Sequence, residues 1–367
     1  MDIHRNLIDG AWVGGDARPN HNPSDTTDVV GLYAHATAAD VAAAVAAARA
    51  AFPAWSRSGP LERHAVLKTA AAELSARNEE LGRLLAREEG KTLGEGKAEV
   101  QRAAQIFEFF AGEALRLTGE LGPSVRPGVG VEVTREPVGV VGVITPWNFP
   151  IAIPAWKLAP ALCHGNTVVF KPAELVPGCA WALVDILHRA GLPRGVLNLV
   201  MGHGHVVGQA LLDDPEVDAV TFTGSVPTGR RVAEACARHM RRMQLEMGGK
   251  NPLVVLDDAD LEVAVECAVN GAFFATGQRC TASSRLIVTP GIHDAFVAAV
   301  VKRLEGLTVG HALEAGTHIG PVVDERQLAQ DLDGIALGRR EGAQLAFGGE
   351  RLERATSAEE FFCILGV

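Results

Sequence analysis

From Val138 onward, short valine-rich segments alternate with helical stretches, and this alternation constrains the fold more than any other feature. Such strands, apolar throughout, are typical of a sheet that helices cover on both faces. The predicted strands are residues 138–144, 167–170, 196–200, 219–222, 253–256 and 285–288, and the predicted helices include 178–190, 226–237 and 261–275. The alternation predicts an α/β fold with a doubly wound parallel sheet.

The region before residue 118 is predicted to be mainly helical. An alanine-rich helix should cover 38–52, opened by a capping-box pattern at Thr37. A second helix should run from Pro60 to Glu89, and a third over about 96–117. Alternating valines between residues 119 and 137 indicate a hairpin arm, for which an association element and an ordinary surface hairpin are equally good interpretations.

Composition excludes several classes of function. The formal net charge of −10 and the absence of a basic run argue against nucleic-acid binding. The most apolar region, 138–172, is interrupted by prolines and lacks the roughly 20 apolar residues of a membrane span. The six cysteines form no C-x-x-C pair, and the first residues contain no apolar signal core. We therefore expect a cytoplasmic protein that binds neither a membrane nor a metal.

Several predicted strands end at polar or glycine-rich loops, where α/β sheets bind ligands. Asn148 lies in a proline-rich loop that suits either an oxyanion donor or a simple turn. Lys171 and Glu174 can bond to ribose hydroxyls, although a plain strand exit explains them as well. Ser225 follows a glycine at the start of a predicted helix, where backbone N–H groups favour phosphate.

Two further residues carry potential chemistry. Glu246 lies in an apolar, strand-like stretch, and burial there would make it a suitable general base. Cys280 follows a predicted helix and has small neighbours that leave room for a substrate. A buried, inert thiol is the alternative. Arg279 beside it would favour a reactive thiolate.

Five segments in this order resemble the aldehyde dehydrogenase superfamily. They are P-W-N-F-P at 146–150, K-P-A-E at 171–174, F-T-G-S-x-x-x-G at 222–229, L-E-M-G-G-K-N-P at 245–252 and G-Q-R-C at 277–280. The resemblance covers nearly all of residues 5–350 and implies an NAD-dependent enzyme, with NADP as a possible cofactor.

Roles follow from the resemblance position by position. Cys280 would be the nucleophile, Glu246 the base and Asn148 the oxyanion donor. The cofactor would contact Ile144, Pro146, Trp147, Lys171, Glu174, Gly202, Gly224, Ser225, Gly229 and Met247. The resemblance also implies a cofactor domain at 1–118 and 138–246, an oligomerisation arm at 119–137 and a catalytic domain at 247–367.

Segments 177–183, 251–260 and 280–288 are most similar to the α-ketoglutaric semialdehyde (2,5-dioxopentanoate) dehydrogenases of that superfamily. This similarity implies a semialdehyde substrate. A CoA-acylating semialdehyde dehydrogenase, a reductase that works from the activated acid, and a non-catalytic nucleotide-binding fragment are the alternatives. Since CoA-acylating enzymes do not need a general base, Glu246 favours hydrolysis of the thioester.

The carboxyl-terminal segment departs from the family pattern. Family chains continue with an E-E-I-F-G-P segment and later an N-P-F-G-G-type segment, and neither occurs here. Residues 356–367 resemble no family ending. We therefore expect an incomplete catalytic domain, weak turnover, and irregular oligomers in place of the dimer or tetramer that the family suggests.

Overall fold

The computed structural model describes residues 1–352, so the segment 356–367 discussed above lies outside the described residues. The chain divides into two compact units. The first contains Met1–Arg18, Tyr33–Asn78 and Glu99–Glu246. The second contains Pro19–Leu32, Glu79–Ala98 and the described residues from Met247 onward.

The secondary structure alternates between strands and helices from residue 140 onward, as predicted. The strands are β1 (Ile3–His4), β2 (Asn6–Ile8), β3 (Ala11–Val13), β4 (Ala17–Asn22), β5 (Asp25–Ala34), β6 (Glu120–Pro123), β7 (Gly130–Val133), β8 (Val140–Ile144), β9 (Thr167–Lys171), β10 (Leu197–Leu199), β11 (Ala219–Gly224), β12 (Arg242–Met247), β13 (Asn251–Val255) and β14 (Ser283–Val288). The helices are α1 (Ala38–Trp55), α2 (Pro60–Ala76), α3 (Asn78–Glu89), α4 (Leu93–Ala114), α5 (Ala152–Cys163), α6 (Pro177–Arg189), α7 (Gln209–Asp213), α8 (Val226–Arg238), α9 (Leu261–Phe273), α10 (Pro290–Glu305) and α11 (Glu325–Arg340).

A seven-stranded sheet has the order β12-β11-β8-β9-β10-β2-β3. Its central pairs, β11–β8, β8–β9 and β9–β10, are parallel. Every residue of β8, β9 and β10 is buried, as expected for strands that helices cover on both faces. The predicted parallel α/β sheet is therefore confirmed, whereas the antiparallel strands β2 and β3 at its edge were not predicted.

Each unit has its own hydrophobic core. In the first, Val41, Val45 and Ala48 of α1 pack in one cluster with Val140 and Val169 of the sheet. In the second, β13 and β14 form a parallel pair. The core of that unit joins β13 to α9 and α10 through a cluster that includes Val255, Val265, Phe273, Ile292 and Phe296.

Two predicted helix boundaries in the first hundred residues are wrong. The predicted helix 60–89 is two helices, because Arg77 leaves the helical region at ψ 18° and ends α2. Helix α4 begins at Leu93 and not near Gly96. Thr92 and Glu95 cap that end reciprocally, with Glu95 N–H donating to Thr92 Oγ1 at 3.4 Å and Thr92 N–H donating to Glu95 Oε2 at 3.0 Å.

The predicted hairpin between residues 119 and 137 is present as the antiparallel pair β6–β7. Val131 and Val133 of β7 are exposed, and so is Leu121 of β6. Its role in association remains a prediction. No helix within residues 1–352 is long and apolar enough to cross a membrane.

Candidate active site

The polar loops identified in the sequence lie side by side at the carboxyl ends of the parallel strands, which form one edge of the seven-stranded sheet; this edge is called the sheet edge below. Ile144 at the end of β8 pairs with Lys171 on β9 and with Phe222 on β11. Because these strands are parallel, the loops that follow them leave from the same edge. Ile144 is buried there, and Pro146 and Trp147 in the next loop are partly buried.

The loop that contains Asn148 is fixed where it joins α5. The carboxylate Oε1 of Glu99 accepts hydrogen bonds from the N–H groups of Ile151 and Ala152, at 3.0 and 3.1 Å. A carboxylate at a helix start satisfies N–H groups that have no partner inside the helix. Asn148 is partly buried and lies just before this anchor, so its amide is carried by a restrained backbone.

Lys171 and Glu174 contact each other. Lys171 Nζ lies 3.6 Å from Glu174 Oε2 and donates to the Pro172 carbonyl at 2.8 Å. Glu174 also accepts from the Gly204 N–H at 3.2 Å, and His203 Nδ1 lies 3.5 Å from its other oxygen. Glu174 remains 40% exposed at its side chain, which leaves it accessible to a ligand.

The charges in this group affect one another. Burial lowers the pKa of Lys171, and the attraction of Glu174 only partly offsets that effect. Burial by itself would raise the pKa of Glu174, but Lys171 and the hydrogen bonds from His203 and Gly204 reverse the direction, so its pKa lies below the ordinary value. Glu174 is therefore an anion at neutral pH.

The predicted phosphate site lies at the start of α8. Ser225 caps the helix and accepts a hydrogen bond from the Thr228 N–H at 3.4 Å. Gly224 ends β11, and Gly229 is buried in the first turns of the helix. Helix starts of this kind favour anions through the helix dipole and their free N–H groups.

Gly202 lies in the turn that follows β10. It has φ +136°, a conformation that side-chain-bearing residues rarely adopt, and a Cβ there would lie 3.0 Å from Val207 Cγ2. Glycine is therefore required at this position by the backbone itself.

Glu246 lies at the end of the first unit and differs from expectation in one respect. The side chain is exposed and not buried, because β12 presents most of its residues to solvent. Gln244 Nε2 donates to Glu246 Oε1 at 3.0 Å. Gln244 Oε1 in turn accepts from Lys157 Nζ at 3.1 Å and from Thr221 Oγ1 at 2.5 Å.

Lys157 is the functional candidate that sequence reasoning missed. It is 7% exposed and sits on α5, and its Nζ also donates to Thr221 Oγ1 at 2.7 Å. Burial lowers its pKa from 10.5 to about 8, against the opposing attraction of Glu246. The available signal was a lysine inside an otherwise apolar helix, because such a lysine needs buried polar partners.

Cys280 belongs to the second unit, in the loop between α9 and β14, and its side chain is exposed. The alternative of a buried thiol is therefore wrong, and the reactivity of Cys280 stays a prediction. Asn251 Nδ2 donates to the carbonyl of Cys280 at 2.8 Å and to that of Ala282 at 3.0 Å. Met247, the first residue of this part of the unit, is also exposed.

Arg279 was expected to act on the thiol of Cys280, but its guanidinium pairs with an acid. Arg279 Nη2 lies 3.7 Å from Glu95 Oε1. The predicted helix 261–275 also ends early, at Phe273, because the chain turns sharply before Cys280. Within residues 1–352, no group of three or more His, Cys, Asp or Glu side chains is placed to hold a metal ion.

Comparison with known proteins agrees with this fold and these segments. The model of the aldehyde dehydrogenase family matches residues 12–363. An alpha-ketoglutaric semialdehyde dehydrogenase of Bacillus subtilis is 47% identical, over 96% of this chain and 73% of the relative. The chain therefore belongs to the aldehyde dehydrogenase family, whose members are oxidoreductases that act on aldehydes.

Solved structures support the same conclusion. A betaine aldehyde dehydrogenase of Staphylococcus aureus, in complex with NAD+, matches with a TM-score of 0.93 and 36% identity, over 96% of this chain and 71% of that one. An NADP-dependent enzyme of Escherichia coli matches with a TM-score of 0.95 and 37% identity, over 99% of this chain and 75% of that one. Both the fold and the family predicted from the sequence are confirmed.

Proposed function

We propose that this chain oxidises a semialdehyde, such as α-ketoglutaric semialdehyde, to the carboxylic acid with NAD as the hydride acceptor. The observation that carries the proposal is the exposed thiol of Cys280, in a G-Q-R-C segment whose backbone is tied down by Asn251. The name of the Bacillus subtilis relative supports the choice of substrate.

The residues at the sheet edge fit a nicotinamide dinucleotide. Glu174 offers an exposed carboxylate for ribose hydroxyls, and the start of α8 at Ser225 offers a site for the pyrophosphate. Because Glu174 is an anion, it should repel a 2′-phosphate, and we propose NAD over NADP. The proposed contacts are Ile144, Pro146, Trp147, Lys171, Glu174, Gly202, Gly224, Ser225, Gly229 and Met247.

In the proposed mechanism, the Cys280 thiolate adds to the aldehyde carbon and forms a thiohemiacetal. The Asn148 side-chain amide and the Cys280 backbone N–H stabilise the oxyanion. NAD, held by the contacts proposed above, would accept the hydride from this carbon, which would leave a thioester on Cys280. Glu246 then removes a proton from the water that hydrolyses this thioester and releases the acid.

Lys157, Gln244 and Glu246 are connected by hydrogen bonds between their side chains. Gln244 connects the Lys157 ammonium to the Glu246 carboxylate through two hydrogen bonds, of 3.1 and 3.0 Å. An exposed carboxylate without such partners would sample many rotamers. We infer that these hydrogen bonds restrict the orientation of the Glu246 carboxylate while leaving it accessible to water.

The domain roles are also proposals. The first unit would hold the cofactor, the second would present the nucleophile, and the hairpin β6–β7 would take part in oligomer formation through its exposed valines.

The proposal is tested by following NADH formation from NAD with α-ketoglutaric semialdehyde, beside a simple aliphatic aldehyde of similar length. We expect a higher kcat/KM for the semialdehyde and no requirement for CoA. A strict requirement for CoA would contradict the hydrolytic mechanism, and equal kcat/KM values for the two aldehydes would contradict the substrate class.

A further inference from the structure

The turn before Cys280 contains two consecutive residues in the left-handed region. Ala275 has φ 51° and ψ 32°, and Thr276 has φ 56° and ψ 31°. This conformation is unfavourable for any residue with a Cβ, and more so for a β-branched residue such as threonine. It persists only where the surrounding contacts hold it. The contacts that stabilise this turn therefore determine the position of the backbone at Cys280.

Glu95 supplies the contact at Ala275. Its Oε1 accepts a hydrogen bond from the Ala275 N–H at 2.8 Å. The guanidinium of Arg279 lies 3.7 Å from the same oxygen. One carboxylate oxygen thus contacts both ends of the segment 275–279, which leads directly into Cys280.

The other carboxylate oxygen of Glu95 contacts Thr92. Oε2 accepts hydrogen bonds from the backbone N–H and the hydroxyl of Thr92, both at 3.0 Å, and so completes the cap of α4. This cap is an ordinary structural reason for a glutamate here. It makes no use of Oε1, so the two roles can be separated by mutation.

Other groups also contact the turn, and Gln278 donates to the carbonyl of Ala275 from its backbone N–H at 2.9 Å and from Nε2 at 3.5 Å. Thr276 Oγ1 donates to the carbonyls of Gly320 and Pro321, at 3.1 and 3.2 Å. Gln278 Oε1 accepts from the Val323 N–H at 3.0 Å. The backbone N–H of Ala275 donates to Glu95 Oε1, so Glu95 acts on the opposite polar group of this residue from Gln278.

We propose that Glu95 is a positioning residue for the nucleophile: it holds Ala275 in its left-handed conformation and thereby sets the position of Cys280. Glu95 acts through the backbone and needs no contact with substrate or cofactor. The inference rests on the proposed function in one respect, namely that Cys280 is the nucleophile.

Four proteins test the assignment: the wild type, Thr92→Ala, Glu95→Ala and the double variant Glu95→Ala with Ala275→Gly. Thr92→Ala weakens the helix cap but leaves Oε1 and its contact with Ala275. In the double variant, glycine adopts positive φ without the steric cost that Glu95 must otherwise offset. A role in positioning therefore predicts rescue, whereas a role in capping α4 does not.

The first readout is hydrogen exchange of the peptide that contains Ala275, which requires no catalysis. Glu95→Ala should speed exchange in this turn about tenfold, since the left-handed turn then loses the hydrogen bond at the Ala275 N–H. Thr92→Ala should leave exchange in the turn within about twofold of wild type. Equal exchange in wild type and Glu95→Ala would overturn the assignment.

The second readout is the rate constant of the first NADH burst. A displacement of about 1 Å costs up to about 100-fold in rate, so Glu95→Ala should lower the burst rate by about 10- to 100-fold. Thr92→Ala should stay near wild type, and the double variant should recover most of the loss. A burst in Thr92→Ala as slow as in Glu95→Ala, or no recovery in the double variant, would contradict the proposal. A wild type without a burst would contradict the proposed function, while the exchange data would still decide the role of Glu95.

Discussion

The two units hold their functional side chains in different ways. At the sheet edge of the first unit, side chains contact one another, as Lys157 does with Gln244 and Lys171 with Glu174. Around Cys280 in the second unit, apart from the ion pair of Arg279 with Glu95, side chains contact the backbone, as Asn251 does at the Cys280 carbonyl. A substitution in the first unit should therefore change a charge or a donor, whereas one near Cys280 should change the path of the chain.

The largest effect in the first unit is expected at Asn148. Asn148→Ala removes one proposed oxyanion donor, which typically lowers kcat by about 100- to 1,000-fold. The thiol should be unaffected, so iodoacetamide should alkylate Cys280 at the wild-type rate, measured by peptide mass spectrometry because Cys267 is also exposed. Unchanged kcat would remove Asn148 from the mechanism. A large change in alkylation would show that the two regions do not respond separately.

A smaller effect is expected at Glu174. Glu174→Gln removes the charge that should repel a 2′-phosphate, so the ratio of kcat/KM for NADP to that for NAD should rise about tenfold. Activity with NAD should fall only modestly. Glu234→Gln, which neutralises an exposed glutamate on α8, is the matched control and should leave the ratio unchanged. A ratio equal to that of wild type would show that Glu174 does not face the ribose.

A different kind of effect, on stability and not on catalysis, is expected at Lys157. The pKa of this buried lysine is about 8, compared with 10.5 ordinarily, so between these values the unfolded chain binds more protons than the folded protein. Stability should then rise with pH over that window, by at most about 1.4 kcal/mol per pH unit, and the full penalty of burying the charge applies below pH 8.

Methionine at this position has no proton to release. The melting temperature of wild type relative to Lys157→Met should therefore increase between pH 8 and pH 10. Lys302→Met replaces an exposed lysine on α10 and should show no such trend. If the difference in melting temperature between wild type and Lys157→Met is independent of pH, the pKa of Lys157 is not lowered.

Sequence patterns predicted the central strands of the sheet because strands buried on both faces are apolar throughout, and that feature is visible in the sequence. The segments that became β8 and β9 are valine-rich and fully buried, so their apolar character identified them. Their ends then located Asn148, Lys171 and Glu174 at one edge. The antiparallel strands β2 and β3 were missed because each has only three residues and, unlike the equally short β10, neither follows the valine-rich alternation of strands and helices.

The parts of the site that escaped prediction depend on contacts distant in sequence. Lys157 is held by Thr221 and Gln244, which lie 64 and 87 residues away. Glu95 reaches Ala275 across 180 residues. Glu246 was expected to be buried because its neighbours are apolar, but β12 is largely exposed. Local propensity cannot report such contacts, because the tertiary structure creates them.

The central claim is that Cys280 carries the thioester and Glu246 releases it. Glu246→Gln tests this most directly, because glutamine keeps the shape of the side chain and removes the base. Rapid mixing of this variant with NAD and semialdehyde should release up to one NADH per site and then almost none, and Cys280→Ala should release none. Continued turnover in Glu246→Gln, or any burst in Cys280→Ala, would contradict the account.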